Sequence, residues 1–407
     1  MQNPDFIRLA WSNLAAQSAE QISLAAVPMV AVLALGAGAT QTGLLSAAQT
    51  LPFLLLSIPA GLLADRASRR NLLVGAEALR AASLLALVLL AFAGQLTIPW
   101  LAVLGFLGAS GTVAFSVAAP SLVPNLVARD DLPRANARLE VARSVAYAGG
   151  PAIAGALVGW AGGPPAFVFA LLLSSVAVWQ LRRLPDPPRA TQTSRHVLTE
   201  LREGAQLIWH NELLRPIMWT AVAWNISWFV LQAAYVPYAV KLMGLSAVGV
   251  GATLATYGAG MVIGATLAIR LMRRISFGTA VVVGPLFSVA AGLVMLATLW
   301  WPSAPLAAAS FFLFGTGPVL WVVASTTLRQ TVTPNAMLGR VSALFLTVNA
   351  GSRPVGAALG AGIAALVGGD NGLKACIVIT ALGFIAQALI IVFSPVVRLK
   401  TLPAAVT

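Results

Sequence analysis

Long apolar runs recur twelve times along the chain, separated by short breaks of Pro, Gly and charge. Crossing the hydrocarbon core of a bilayer takes about 20 apolar residues in a helix. The runs place spans at approximately 6–35, 41–64, 70–94, 97–122, 138–160, 164–183, 213–242, 246–270, 277–300, 304–328, 339–367 and 372–397. Inside lipid every backbone amide needs an internal partner, so each run is expected to be a helix. The period-two alternation of a barrel strand is absent from these runs.

Composition agrees. The chain is 59% hydrophobic and 9% charged, whereas an average soluble domain carries roughly a quarter charged residues. A net charge of +13 in a soluble protein would point to nucleic acid. Here the basic residues fall in short loops between apolar runs and read as topology marks instead. The single cysteine, Cys376, cannot form an internal disulfide. The opening MQNPDFIRLAW has an early acid and no small-residue cleavage site, so the first span is expected to stay.

The loops alternate. DRASRR, ARDDLPRANAR, the stretch 182–215, RLMRR, LRQTVTPNAMLGR and RLK hold nearly all the Lys and Arg. The intervening loops hold none, and Lys241 and Lys374 are the only cations on that second side. The positive-inside rule then puts both termini and the central loop in the cytoplasm; the expected location is the cytoplasmic (inner) membrane.

The halves repeat. A shift of 203 takes Gly61 and Arg70 to Gly264 and Arg273, and Pro151 to Pro354. One offset found at two independent places argues for duplication of a six-helix unit. The expected organisation is a bundle over 1–183, a linker over 184–212 and a second bundle over 213–407. The linker begins with turn formers, LPDPPRATQTSR. From His196 to His210 it turns amphipathic and reads as a helix lying at the membrane surface.

Gly61-x-Leu63-x-Asp65-Arg66-x-x-Arg69-Arg70 resembles the loop motif between helices two and three of the major facilitator superfamily, with Ser68 where the family usually has Gly. The second-half copy, GATLAIRLMRR, has Ala268 in place of the acid. Gly150-Pro151-x-x-Ala154-Gly155 is similar to the Gly-Pro motif of the superfamily's antiporters. RLAWSNLAAQSAEQIS and ELREGAQLIWHNELLRPIM resemble the branch that holds drug and siderophore exporters. The resemblance implies an all-α membrane fold, with twelve helices in two pseudo-symmetric bundles around a central cavity. It also puts the start of helix eleven beside Asp65, so that Asp65, Arg66, Arg69 and Arg70 would latch the cytoplasmic side. An acid docked at a helix N-terminus is favoured by the dipole. The basic residues alone could equally serve only topology. The Gly-Pro segment would make a bendable, closely packed seam, since Pro removes an amide donor and small residues permit close approach.

A charge at membrane depth costs at least roughly 2.5 kcal/mol, so it usually faces a cavity or a partner. Glu20 lies mid-way along the first span with Asn13, Gln17 and Gln21 on the same face. It is the first candidate for proton coupling and for contact with a cationic group, since a carboxyl that changes surroundings is suited to reversible protonation. A permanent structural ion pair is the bland alternative. Arg353 in the eleventh span could bind an anion, hold Asn349 or pair with Glu20. Glu77 and Arg80, three apart, are expected to satisfy each other away from the cavity. Glu140 and Arg143 are expected at a gate.

In the seventh span Asn225, Trp228, Gln232 and Tyr235 follow three-and-four spacing, a stripe suited to an amphipathic or aromatic molecule. Interfacial aromatics explain Tyr238 but not Asn225. Trp321 and Tyr147 are further candidates. The sequence holds no phosphate loop, no nucleophile elbow and no clustered His, Cys and acid pattern. The chain therefore reads as a monomeric secondary transporter and not an enzyme. It is expected to need no cofactor or metal and to have as partners a small-molecule substrate, protons and lipid, not nucleic acid. Proton-coupled export is the expected activity; import of a solute by symport or uniport, and translocation of a lysophospholipid-type lipid, are the alternatives.

Overall fold

The structure is a computed structural model that describes residues 3–66, 68–127, 132–185, 197–272, 274–334 and 337–403. The described chain is helical: α1 (Pro4–Leu33), α2 (Ala39–Arg66), α3 (Arg69–Phe92), α4 (Ile98–Leu126), α5 (Leu132–Ala161), α6 (Gly163–Arg182), α7 (Val197–His210), α8 (Leu214–Lys241), α9 (Ala247–Met272), α10 (Phe277–Ala297), α11 (Ala304–Val332), α12 (Leu338–Val367) and α13 (Gly369–Val392). A 3₁₀ turn follows at Pro395–Arg398. All but α7 have the length of membrane helices, and eleven pass a test of length and apolarity among the described residues. The chain is a multi-pass membrane protein.

Helix α5 starts at Leu132, six residues before the span read from apolar residues, because a helix need not stop where the hydrocarbon does. The tight links between helices turn on glycines with positive φ at Gly36, Gly94, Gly162, Gly244 and Gly368, a region closed to most side chains. Amphipathic α7 is short, and its buried Ile208 joins the core beneath α8 and α12. Arg340 on α12 donates to Glu203 on α7.

Helices α1–α6 pack among themselves through α1–α5, α1–α6, α2–α4, α3–α4 and α3–α6. Each pairing recurs seven helices later, as α8–α12, α8–α13, α9–α11, α10–α11 and α10–α13. The two sets meet through α2–α12 and α5–α9, which are also equivalent under that shift.

The core shows how the sets lean. After twelve alternating crossings the start of α1 and the end of α13 lie on one face, here the terminal face. Toward the far face one apolar cluster joins both sets, with Ile22, Val30 and Phe167 packed in the same body as Leu231, Phe311 and Phe384. Toward the terminal face the cores separate. Phe6, Leu73 and Leu122 belong to one cluster, Ile217, Leu328 and Phe345 to another. The sets are thus pressed together on the far side. There Thr42 of α2 donates to the Ala233 carbonyl of α8 at 2.8 Å. A Cβ placed on Gly43 would lie 2.7 Å from the Ala361 Cβ of α12.

Pro151 and Gly155 of α5 sit on this seam. A Cβ on Gly155 would lie 2.5 Å from the Ala247 oxygen and 2.9 Å from the Gly251 Cα of α9. Gly251 in turn abuts the Pro151 oxygen. Gly150 faces inward instead, with the Gln21 Cβ of α1 only 2.5 Å from where its own would stand.

The chain end also packs. Ser276 caps α10 by accepting from the Thr279 amide. The two preceding donors, Phe277 N and Gly278 N, reach the carbonyls of Lys400 (3.2 Å) and Leu399 (2.7 Å). These are amides that a helix start leaves without an internal partner.

Candidate functional site

A cavity of about 940 Å³ lies between the two sets. It reaches toward the terminal face, where the Glu140 and Arg143 side chains are half exposed and joined at 2.6 Å. Three helix prolines, Pro28, Pro151 and Pro318, line it. A proline frees the carbonyl one turn back, and a polar cavity is where a membrane helix tolerates that.

The first set supplies a buried charge cluster. Arg80 of α3 is 4% exposed and Glu77 fully buried. Arg80 donates to Glu77 Oε1 (2.6 Å), Thr112 Oγ1 (2.6 Å) and the Ala16 carbonyl (3.1 Å). Ser174 donates to Glu77 Oε2 at 2.9 Å. Glu77 and Arg80 satisfy each other as expected. Contrary to expectation, however, α3 does not lie outside the cavity: Arg80 lines it. Glu20 of α1 also lines it and reaches Arg80 only at 3.7 Å. A buried ion pair stands only when its remaining donors and acceptors are met. Arg80 meets this through Glu77 and Thr112, which leaves Glu20 the loosely held acid.

The second set supplies aromatic and amide groups. Asn225, Trp228 and Gln232 of α8 line the cavity, with Trp321 of α11 and Asn349 and Arg353 of α12. Asn225 donates to Asn349 Oδ1 at 3.2 Å. Trp228 stacks on Trp224 at 5.4 Å and 12°, and lies 5.0 Å from the ring of Tyr257. Tyr257 in turn approaches Tyr147 of α5 at 6.0 Å, across the two sets.

Tyr235 does not line the cavity. It is fully buried, with its hydroxyl on Thr253 and its ring edge-on to Phe311. Seven residues beyond Trp228, it points within about 20° of the same direction, but two turns nearer the far face, where it packs into the core shared by both sets. Tyr238 is likewise buried and bonds Thr298.

Arg353 makes no hydrogen bond or ion pair among the described residues. Its Nε is buried without a partner, and its guanidinium lies 4.7 Å over the ring of Phe53 on α2. It does not pair with Glu20, whose ion-pair partner is Arg80. Gln387 of α13 was not singled out from the sequence. It lines the cavity, is 2% exposed and leaves its Oε1 unpaired, as Trp321 leaves its Nε1. A lone glutamine in an apolar helix was the available sign.

In the loop motif, the surroundings of Gly61 and the side chains of Asp65 and Arg66 lie outside what is described. Arg70 donates to the Leu184 carbonyl at 3.3 Å, and Arg69 has a partner. Among described residues no cluster of His, Cys, Asp and Glu could hold a metal.

Two equivalent sets of six membrane helices around a central cavity are the architecture of a membrane transporter. The chain belongs to the Major Facilitator Superfamily, whose profile it matches over residues 9–357. It is 28% identical over 294 residues to the multidrug efflux pump Tap of Mycobacterium tuberculosis, covering 69% of each chain. It is 26% identical over 312 residues to the enterobactin exporter EntS of Shigella flexneri, covering 75% of this chain and 72% of that one. The fold matches crystal structures of the nucleoside transporter NupG (TM-score 0.74, 12% identity, 96% and 98% coverage). It also matches a bacterial homologue of the human lysosomal transporter Spinster in an inward-facing conformation (TM-score 0.72, 16% identity, 98% of each chain). The protein is a transporter and not an enzyme.

Proposed function

We propose that the chain exports a hydrophobic or amphipathic small molecule, in the manner of a drug or siderophore, in exchange for protons. The observation that carries this is Glu20: an acid on the cavity wall, beside an arginine already engaged by Glu77. Such a carboxyl is free to take or lose a proton as the cavity changes sides. Efflux proteins among the relatives support the direction.

In this reading the terminal face is cytoplasmic, as the basic loops suggest, and the membrane is the inner one. Substrate enters the open cavity from the cytoplasm or inner leaflet. The two bundles then rock against each other, and the far ends of the α2–α12 and α5–α9 contacts part to open the far side. A proton from outside binds Glu20, substrate leaves, and the cavity returns.

The test reconstitutes the full chain in liposomes that enclose a pH dye, with a panel of dansyl amphiphiles of differing charge. Glu20→Gln should abolish probe-driven proton flux and keep counterflow of the neutral probe. Unchanged coupled flux would remove Glu20 from the coupling.

A further inference from the structure

The charges around the cavity balance, three acids (Glu20, Glu77, Glu140) against three arginines (Arg80, Arg143, Arg353). Two pairs close upon themselves at 2.6 Å, Arg80 with Glu77 and Arg143 with Glu140. That leaves one acid and one base of the six without a close partner. Glu20 has a single ion-pair contact, at 3.7 Å. Arg353 has no hydrogen bond or ion pair among the described residues and lies over the face of Phe53. They stand in different sets of helices, α1 and α12, and both line the same cavity. A buried charge without a close counter-charge is costly. Two such charges of opposite sign in one cavity make a site that is neutral overall and polarised across its width.

We infer that the cavity takes a zwitterionic aromatic amphiphile, its cationic group facing Glu20 and its anionic group facing Arg353. The aromatic body has a place beside the charges. The indoles of Trp224 and Trp228 stack in the second set, and the unpaired Trp321 Nε1 and Gln387 Oε1 offer a donor and an acceptor. A substrate held in this way touches both sets of helices at once.

This rests on the proposed export reading and sharpens its coupling. The charged groups within reach of Glu20 are Arg80 and Glu77 from α3, Arg143 from α5 and Arg353 from α12. With Glu20 ionised the cavity is neutral and holds both ends of the substrate. A proton on Glu20 leaves the cavity one charge positive, which expels the cationic end. Proton and substrate therefore compete, as exchange requires.

Four probes share one fluorophore. Nε-dansyl-lysine is zwitterionic, dansylcadaverine cationic, dansyl-aminohexanoate anionic and N-hexyl dansylamide neutral. Their affinities would be measured on the full chain in neutral detergent at fixed pH. Dansyl-lysine should bind about tenfold tighter than each of the others, the scale of one added charge contact. Arg353→Gln should reduce dansyl-lysine to the level of dansylcadaverine. Glu20→Gln should reduce it to the level of dansyl-aminohexanoate. Neither should change the neutral probe. Four probes of equal affinity on the unaltered protein would overturn the inference even if no variant folds. Equal weakening of all four by either variant would also overturn it, since that is the mark of a structural residue. A flat ranking in detergent with proton flux intact in liposomes removes the zwitterion alone. The expected ranking with no probe-driven proton flux removes the coupling alone.

Discussion

Replacing Gly155 by alanine puts one methyl group into the far-side seam. Its Cβ would stand 2.5 Å from the Ala247 oxygen and 2.9 Å from the Gly251 Cα, well inside the usual 3.5–4.0 Å carbon contact. Backbone on both sides leaves no flexible side chain to move aside, so α5 and α9 must part. Overpacking of this kind costs about 1–3 kcal/mol. The strain exists only while the far side is closed. Against a state with that side open, the populations should therefore shift by about 5- to 150-fold. The control is on the same helix: a Cβ on Gly149 meets nothing within 4 Å. Gly149→Ala should leave the equilibrium alone and stabilise α5 by up to about 1 kcal/mol.

The assay uses Ser46→Cys, a cavity position one turn beyond Thr42, in a Cys376→Ala background, and alkylation by an impermeant maleimide from the far side. Gly155→Ala should raise the labelling rate by the population factor. Combining it with Gly251→Ala should add less than the sum, because the two share one contact and the first methyl opens the gap for the second. Labelling of Gly155→Ala at the parental rate, with an unchanged melting temperature, would show that the seam does not close the far side.

Three further outcomes follow. Arg80→Met leaves Glu77 buried without its cation, a change worth about 3–5 kcal/mol; size-exclusion chromatography should show loss of folded protein. Trp228→Ala removes a ring packed on Trp224, Tyr257, Phe311 and Phe314. It should lower the thermal midpoint by the equivalent of about 3–5 kcal/mol and weaken aromatic probes most. Arg340→Gln breaks a partly exposed pair to α7, worth about 0–1 kcal/mol; the melting curve should barely move.

The number and order of membrane helices were legible because lipid forces long apolar runs, and the run itself is the record. Helix ends were less so: α5 begins at Leu132 among polar residues that hydropathy reads as loop. Asn225, Trp228 and Gln232 were placed on the cavity wall by spacing alone, which works over two turns. Tyr235 was misplaced because spacing gives direction and not depth: two turns further along α8 the cavity has given way to the core shared by both sets. Arg80 was read as a partner for Glu77, which it is. Its second role depends on how α3 sits against α1 and α4, and a tertiary distance such as Glu20 to Arg80 leaves no local trace. Gly150 and Gly155 were read together as one seam, yet they face different neighbours, α1 and α9. A five-residue step on a helix turns the side chain well away from its first direction.

The backbone bonds from Leu399 and Lys400 to the start of α10 bear on how the protein is handled. A purification tag or fluorescent fusion appended after Thr407 leaves those carbonyls in place. Trimming the chain back to Ser394 to shorten a tail would instead strip two amides of α10 of their acceptors, at about 1–3 kcal/mol for each that stays buried. The Leu399–Lys400 stretch is a fitting for α10, and expression vectors should treat it as part of the membrane domain.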